Sequence, residues 1–345
     1  MDVTMKDVAR LAGVSPSTVS RVLAGNPAIS PQTQEKVRQV LRDLNYYPHA
    51  GARSLVTGSS KVIGLITSRP TAETFANPFF PEVIRGIGSV LDGEGYNLLL
   101  STVKGEHNQR EACLHMLRSR HVDGVILTRS MLGDKLIDSL VAERRNFVLI
   151  GRPADRLGRL SHPSVCYVNN DNVSAAAVAT QHLLQGGHRR IAFVSGPQQR
   201  VYCFDRLQGY CSALAEAGLL FDPALVREGN ITQEDGARAL DQLLTLAEPP
   251  SAILAVDDTL ALGIVETALR RGLRVPADLA VAGFNDSPIT MWTRPSVTTV
   301  RIPVFDLGAQ AARMMLAILH GIPCHPHQIV LPSHIIPRES TAPGS

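Results

Sequence analysis

Apolar positions in the first 45 residues recur at helical spacing, in three short stripes. Val8, Ala9, Leu11 and Ala12 form the first, Val19, Val22 and Leu23 the second, and Val37, Val40, Leu41 and Leu44 the third. Gly13 separates the first two, where a tight inter-helix turn favours a residue without Cβ. Ser15-Pro16 and Ser30-Pro31 each supply an N-cap followed by a proline at the first helical position, and Asn45 is a plausible stop. The pattern predicts a three-helix head over residues 1–46 whose first two helices form a helix–turn–helix. Tyr46-Tyr47-Pro48-His49, then Ala50–Val56, then Thr57-Gly58-Ser59-Ser60 read as an extended step, a short helix and a small polar linker. A seven-residue helix is marginal in water unless it docks on something, which makes 47–60 a hinge segment.

From Lys61 the texture changes to short apolar runs alternating with amphipathic stretches. Strands are predicted at Val62–Thr67, Asn97–Val103, Gly124–Thr128, Phe147–Ile150, Val165–Val168, Ile191–Ser195, Ala252–Val256 and Leu279–Phe284. Helices are predicted at Phe80–Asp92, Gln109–Arg118, Ala175–Leu184, Arg206–Ala217, Ala237–Leu246 and Thr259–Arg270. Continuous apolar strands separated by helices imply parallel sheets covered on both faces. So many strands exceed one comfortable doubly wound domain, so the body, 61–340, divides into two lobes. The expected division is about 61–160 with 289–319 for one lobe and about 161–288 with 320–340 for the other. Thr298–Ile302 and Ile329–Leu331 are expected to cross back and complete the sheets. Ligands of such sheets bind outside the carboxyl ends of the strands, where two lobes face each other.

The chemistry of the head suits DNA. Its second helix can enter the major groove with Pro16, Ser17 and Arg21 towards the bases, although an isolated segment of this kind also fits an ordinary helical hairpin. Charge decides between them. Residues 1–60 carry seven basic and four acidic side chains, a balance of +3 that equals the formal charge of the whole chain. The entire excess therefore sits where phosphates would be met, and its small size calls for two copies on a dimer. Five cysteines, Cys113, Cys166, Cys203, Cys211 and Cys324, include no C-x-x-C pair, which favours free thiols over a disulfide framework or a metal site. The eleven histidines show no zinc-binding spacing. No cofactor is indicated. No signal pattern and no membrane-length apolar run are read, so a soluble cytoplasmic protein is expected.

Several motifs resemble the lactose/galactose repressor family of bacterial transcription regulators. They are D-V-A-x-x-A-G-V-S-x-x-T-V-S-R-V-L at Asp7–Leu23, Y-x-P-x-x-x-A-R-x-L at Tyr46–Leu55, and N-P-F-F at Asn77–Phe80. R-L-x-G-Y at Arg206–Tyr210, D-D-x-x-A-L-G at Asp257–Gly263, G-F-N-D at Gly283–Asp286 and P-S-V-T-T-V at Pro295–Val300 continue the likeness to about Glu339. The stretch Asn77–Ile87 looks most like the maltose-operon branch. The resemblance implies a small all-α helix–turn–helix head on an α/β, periplasmic-binding-protein-like body of two doubly wound parallel-sheet lobes. It places Pro16, Ser17 and Arg21 at base edges and Thr4, Thr18, Ser20 and Ser30 at phosphates. It also makes Leu55 a minor-groove wedge, with Ala52 and Arg53 beside it. His49 replaces the usual asparagine, and Gly51 weakens a hinge helix by about 1 kcal/mol relative to alanine.

For the cleft the resemblance points to Ser68, Phe79, Phe80, Arg206, Asp257 and Asn285 as effector ligands. Charged and amide groups suit sugar hydroxyls, and a phenyl suits the apolar face of the ring. One of the two phenylalanines is expected in the core, and Trp292 is not expected to be a ligand platform. No nucleophile elbow or Walker loop occurs, and the Asp257-Asp258 pair lacks a catalytic partner, so an enzyme is not expected. The expected protein is a homodimeric repressor of a carbohydrate-utilisation operon. It would bind pseudo-palindromic double-stranded operator DNA and be released by a small sugar, maltose or a maltodextrin favoured. The alternatives are a regulator co-activated by a phosphorylated carrier protein, a solute-binding protein, and a nucleotide-using enzyme lacking a phosphate loop.

Overall fold

The computed structural model describes residues 3–23, 26–46, 58–67, 71–103, 105–324 and 326–342. The head holds α1 (Met5–Ala12), α2 (Pro16–Leu23) and α3 (Pro31–Asp43). Local chemistry sets each start. Thr4 and Asp7 form a reciprocal capping box at α1, the Ser15 hydroxyl accepts from the Thr18 amide (3.1 Å), and the Ser30 hydroxyl accepts from the Thr33 amide (3.3 Å). Gly13 ends α1 in the left-handed region (φ 63°), where other residues are strained. Val8, Ala9, Ala12, Val19, Val22 and Val37 make the small core. Leu11, expected among them, is instead 54% exposed on the opposite side of α1.

The body contains two six-stranded sheets. The first runs β11-β5-β4-β3-β1-β2, with β1 (Val62–Ile66), β2 (Asn97–Ser101), β3 (Gly124–Leu127), β4 (Phe147–Ile150), β5 (Tyr167–Asn170) and β11 (Gln328–Leu331), all parallel. The second runs β12-β10-β9-β8-β6-β7, with β6 (Ile191–Ser195), β7 (Val226–Glu228), β8 (Ala252–Ala255), β9 (Ala280–Phe284), β10 (Thr298–Arg301) and β12 (His334–Ile336). Only its edge strand β12 is antiparallel, paired with β10. β3, β4, β5, β6, β8 and β9 are buried throughout, as strands covered on both faces must be.

The helices of the body are α4 (Thr71–Ala76), α5 (Phe79–Leu91), α6 (Glu106–Arg118), α7 (Lys135–Ala142), α8 (Asn172–Gln185), α9 (Val201–Glu216), α10 (Gln233–Leu244), α11 (Asp258–Arg270) and α12 (Val304–Leu319). Most were foreshadowed by apolar periodicity. α4, α7 and α12 were not, nor were the short strands β7 and β12; α12 starts after Pro303 without a side-chain cap to announce it.

Strand pairing corrects the expected lobe boundaries. Tyr167 pairs with Leu149, so β5 belongs to the first sheet, and Thr298 pairs with Ala282, so β10 belongs to the second. β11 also returns to the first sheet, against β5. The chain therefore crosses between lobes at 170–172, 301–304 and 331–334. An apolar run shows that a strand exists, but the partner that assigns its sheet is distant in sequence.

Helices approach closely at small residues. A Cβ on Gly209 of α9 would lie 2.0 Å from the Val173 carbonyl of α8, and one on Gly86 of α5 would lie 2.0 Å from the Phe305 carbonyl of α12. Gly209→Ala is expected to cost about 1–3 kcal/mol through overpacking, read as a lower urea midpoint. Gly88→Ala, facing open space on α5, should be neutral or gain up to about 1 kcal/mol from helix propensity. Equal behaviour of the two variants would contradict this packing.

Candidate functional site

Two surfaces bear functional chemistry. On the head, Pro16, Ser17 and Arg21 are exposed on α2, with Arg21 one turn on from Ser17. Thr18 and Ser20 are half-buried, while Thr4 and Ser30 are exposed. The Ser15 hydroxyl lies 2.7 Å from that of Ser17 and 2.9 Å from that of Thr18, so the start of α2 is a knot of three hydroxyls. Thr4 donates its hydroxyl to Asp7 (2.6 Å), and the Ser30 and Thr33 hydroxyls are 2.9 Å apart. All three helix N-termini thus present hydroxyls at their first turn, an arrangement suited to phosphate oxygens. Ala52, Arg53 and Leu55 lie outside the described residues. The linker's far end is held firmly: Asp123 accepts from Ser59, from the Ser60 amide (2.6 Å) and hydroxyl (2.8 Å), and from the Lys61 amide (3.0 Å).

The second surface is a cleft between the lobes, enclosing about 870 Å³ with part of it open to solvent. Phe79, Phe80, Arg206, Asp257 and Asn285 all line it; Ser68 lies outside the described residues. Phe80 is buried and Phe79 half-buried, their rings edge-to-face at 5.4 Å, so Phe79 offers the accessible ring. Asp257 caps α11, accepting from the Thr259 amide (2.8 Å), and its other oxygen accepts from the Asn285 side-chain amide (2.9 Å). Asn285 holds a left-handed backbone (φ 106°), which aims its amide inward. Trp292 is 77% exposed and does not line the cleft.

Arg206 lies well inside α9, because that helix begins at Val201, five residues before the expected start. Only 4% of it is exposed. It donates to Asn172 Oδ1 (2.9 Å) and to the Val256 carbonyl (2.5 Å), and its guanidinium lies 4.1 Å from the Phe284 ring centroid. Burial lowers its pKa, but a guanidinium stays charged in any protein.

Several cleft residues were missed from sequence. Asn169 and Asn172 join Arg206 at the first crossing, with Asn172 donating to Asn169 Oδ1 (3.4 Å). The run Asn169-Asn170-Asp171-Asn172, at the end of a buried strand, was the signal for polar work there. Arg152, after β4, donates to Asp205 on α9 across the lobes (2.9 Å). Asn77, before α5, donates to Asp257 of the other lobe (3.4 Å). Backbone bonds from Val201 to Ser130 (3.0 Å) and from Leu132 to Gln199 (2.8 Å) complete the bridging. All four contacts join one lobe to the other.

Beneath the cleft, Asp258 accepts from Thr299 (2.6 Å) and from the Ser287 amide (2.7 Å). Burial outweighs these bonds and pushes its pKa up to about 7.

Comparison with known proteins agrees with this geometry. Residues 4–49 match the family described as bacterial regulatory proteins, lacI family, and residues 180–341 match a periplasmic binding protein-like domain. The HTH-type transcriptional regulator CelR of Thermobifida fusca is 36% identical over 339 residues, 98% of each chain. A solved transcriptional regulator CelR–cellobiose complex superposes with TM-score 0.76 at 34% identity, over 98% of this chain and 99% of that one. The lac repressor dimer bound to operator and the anti-inducer ONPF superposes with TM-score 0.83 at 27% identity, over 99% of both chains.

The raised pKa of Asp258 has a testable sign. A folded-state value near 7 against about 3.9 unfolded means that the folded state holds the proton more tightly. The stability linked to this group is full below pH 4 and is lost as pH rises through 7, on the order of 4 kcal/mol. Urea unfolding at pH 5 and pH 8 should therefore show a smaller alkaline loss in Asp258→Asn than in the native chain. Identical pH dependence in both would contradict the assignment.

Proposed function

The chain belongs to the lacI family of bacterial regulatory proteins, and from that premise we propose that it represses transcription from an operator until a small sugar occupies the cleft. Its relatives are transcriptional regulators rather than enzymes. Two heads on a homodimer read the two half-sites of a pseudo-palindromic operator, because one three-helix head buries too little surface to be specific. Pro16, Ser17 and Arg21 meet the base edges, Arg21 being able to contact guanine bidentately, and Thr4, Thr18, Ser20 and Ser30 anchor phosphates. Leu55, flanked by Ala52 and Arg53, wedges the minor groove.

The observation that carries the effector reading is the composition of the cleft. Carboxylate, amide and guanidinium groups from both lobes surround it, and the Phe79 ring forms one wall. Hydroxyl pairs want such donors and acceptors, and the C–H face of a pyranose wants the ring. Asp257, Asn285, Arg206 and Ser68 serve the hydroxyls, and Phe79 with Phe80 serves the face. A glucose disaccharide is favoured. Asn77–Ile87 looks like the maltose-operon branch, and the similar CelR is solved with cellobiose, which differs from maltose only in linkage.

A melting-temperature screen with maltose, cellobiose, maltodextrins, glucosides and sugar phosphates tests the reading. A cleft ligand should raise the transition by linkage, by about 2.7 kcal/mol at a hundred times its dissociation constant. Asp257→Asn keeps an equally good helix cap but removes the carboxylate, so its shift should largely vanish while operator binding persists. An unchanged shift in that variant would place the sugar elsewhere.

A further inference from the structure

Outside the cleft and the head, the fold brings together three soft ligand groups that sequence spacing keeps apart. Cys166 immediately precedes β5, and His327 immediately precedes β11. The Tyr167 amide donates to the His327 carbonyl (2.9 Å), and the register Gln328↔Tyr167 makes Cys166 and His327 lateral neighbours. Cys324, in the turn that returns α12 to the sheet, closes the group. Its thiol, the Cys166 thiol and one His327 ring nitrogen all lie within 4.8 Å of one another. Cys166 Sγ and His327 Nδ1 are 3.6 Å apart.

That separation matches a tetrahedral metal edge. Zinc–sulfur bonds of about 2.3 Å and zinc–nitrogen bonds of about 2.0 Å at the tetrahedral angle put sulfur and nitrogen about 3.5 Å apart. The corresponding sulfur–sulfur edge, about 3.8 Å, falls inside the observed spread. Cys166 is buried while Cys324 and His327 are half-buried, so an ion has fixed walls and an entry path. The other cysteines do not share this setting; Cys113 and Cys203 are buried apart from the group. We infer that Cys166, Cys324 and His327 form a binding site for a thiolate-seeking divalent cation, zinc foremost, with the fourth position left to solvent. Two thiols lose their protons to bulk water as the ion binds, and no redox change occurs.

The site joins the return of α12 to the strand pair nearest the lobe crossings, at the strand ends remote from the cleft. Its occupancy therefore clamps the first lobe without touching the sugar-binding groups, and the inference stands or falls separately from the effector reading. Cobalt(II), which reports on the same ligands by colour, tests it on the full-length chain kept reduced. One equivalent per chain should produce a thiolate-to-cobalt charge-transfer band, displaced by zinc, and zinc should raise the melting temperature. Cys166→Ser and Cys324→Ser should each weaken binding roughly a hundredfold or more, and His327→Ala at least tenfold, while Cys211→Ser retains the full band. Circular dichroism of the metal-free variants checks that each is folded. Absence of the band in the folded native chain, or its survival in the Cys166→Ser/Cys324→Ser double variant, would each overturn the proposal.

Discussion

The cleft floor of the second lobe is organised around a buried cation, Arg206. A guanidinium taken out of water costs several kcal/mol unless its donors are satisfied and a counter-charge lies near. Arg206 is held by Asn172 and the Val256 carbonyl, stacks on Phe284, and feels the carboxylates of Asp257 and Asp258. Each partner sits at a structural junction. Asn172 begins α8 at the first lobe crossing, Val256 immediately follows β8, the strand that leads into α11, and Phe284 ends β9. One charge thus fixes three segments of the second lobe along the cleft floor, and the remaining polar groups there are placed relative to it.

The same requirement explains why the cleft can act as a switch. The hydrogen bonds that span it join charged or amide side chains, Arg152 with Asp205 and Asn77 with Asp257, and backbone groups, Val201 with Ser130 and Leu132 with Gln199. Such contacts have modest net strength because water is the alternative partner, so a ligand offering hydroxyls can replace or reinforce them at low cost. The lobe cores, by contrast, are packed too tightly to deform gradually, as the helix approaches at Gly86 and Gly209 show. Any relative movement of the lobes is expected at the three crossings. At the other end of the first lobe, Asp123 gathers Ser59, Ser60 and Lys61, so displacement of that lobe passes directly to the end of the linker.

How much of this was legible in the chain depended on sequence distance. The starts of the second and third helices and the turn between the first two were readable, because Gly13, Ser15 and Ser30 act on neighbours within a few positions, whereas the Thr4 capping box went unread. Leu11 misled, since the stripe it seemed to extend turns outward. In the body, apolar runs located strands well but not their sheets, because β5, β10 and β11 are assigned by partners far along the chain. Arg206, Asp257 and Asn285 were reachable through their motifs. Arg152 and Asp205 meet only across the cleft, so no local pattern marked them, and Asn77 was marked only as the first residue of its motif. Cys166, Cys324 and His327 became neighbours only through the pairing of β5 with β11.

The central claim is that cleft occupancy and DNA binding are coupled through the linker. The most direct test is the operator affinity of the intact chain, measured by fluorescence anisotropy at fixed salt with and without a saturating sugar, beside a chain lacking residues 1–60. The account predicts roughly a 5- to 150-fold weakening of operator binding by the sugar, with the shortened chain binding the sugar equally well and DNA not at all. A sugar that saturates the cleft yet leaves operator affinity unchanged would contradict it.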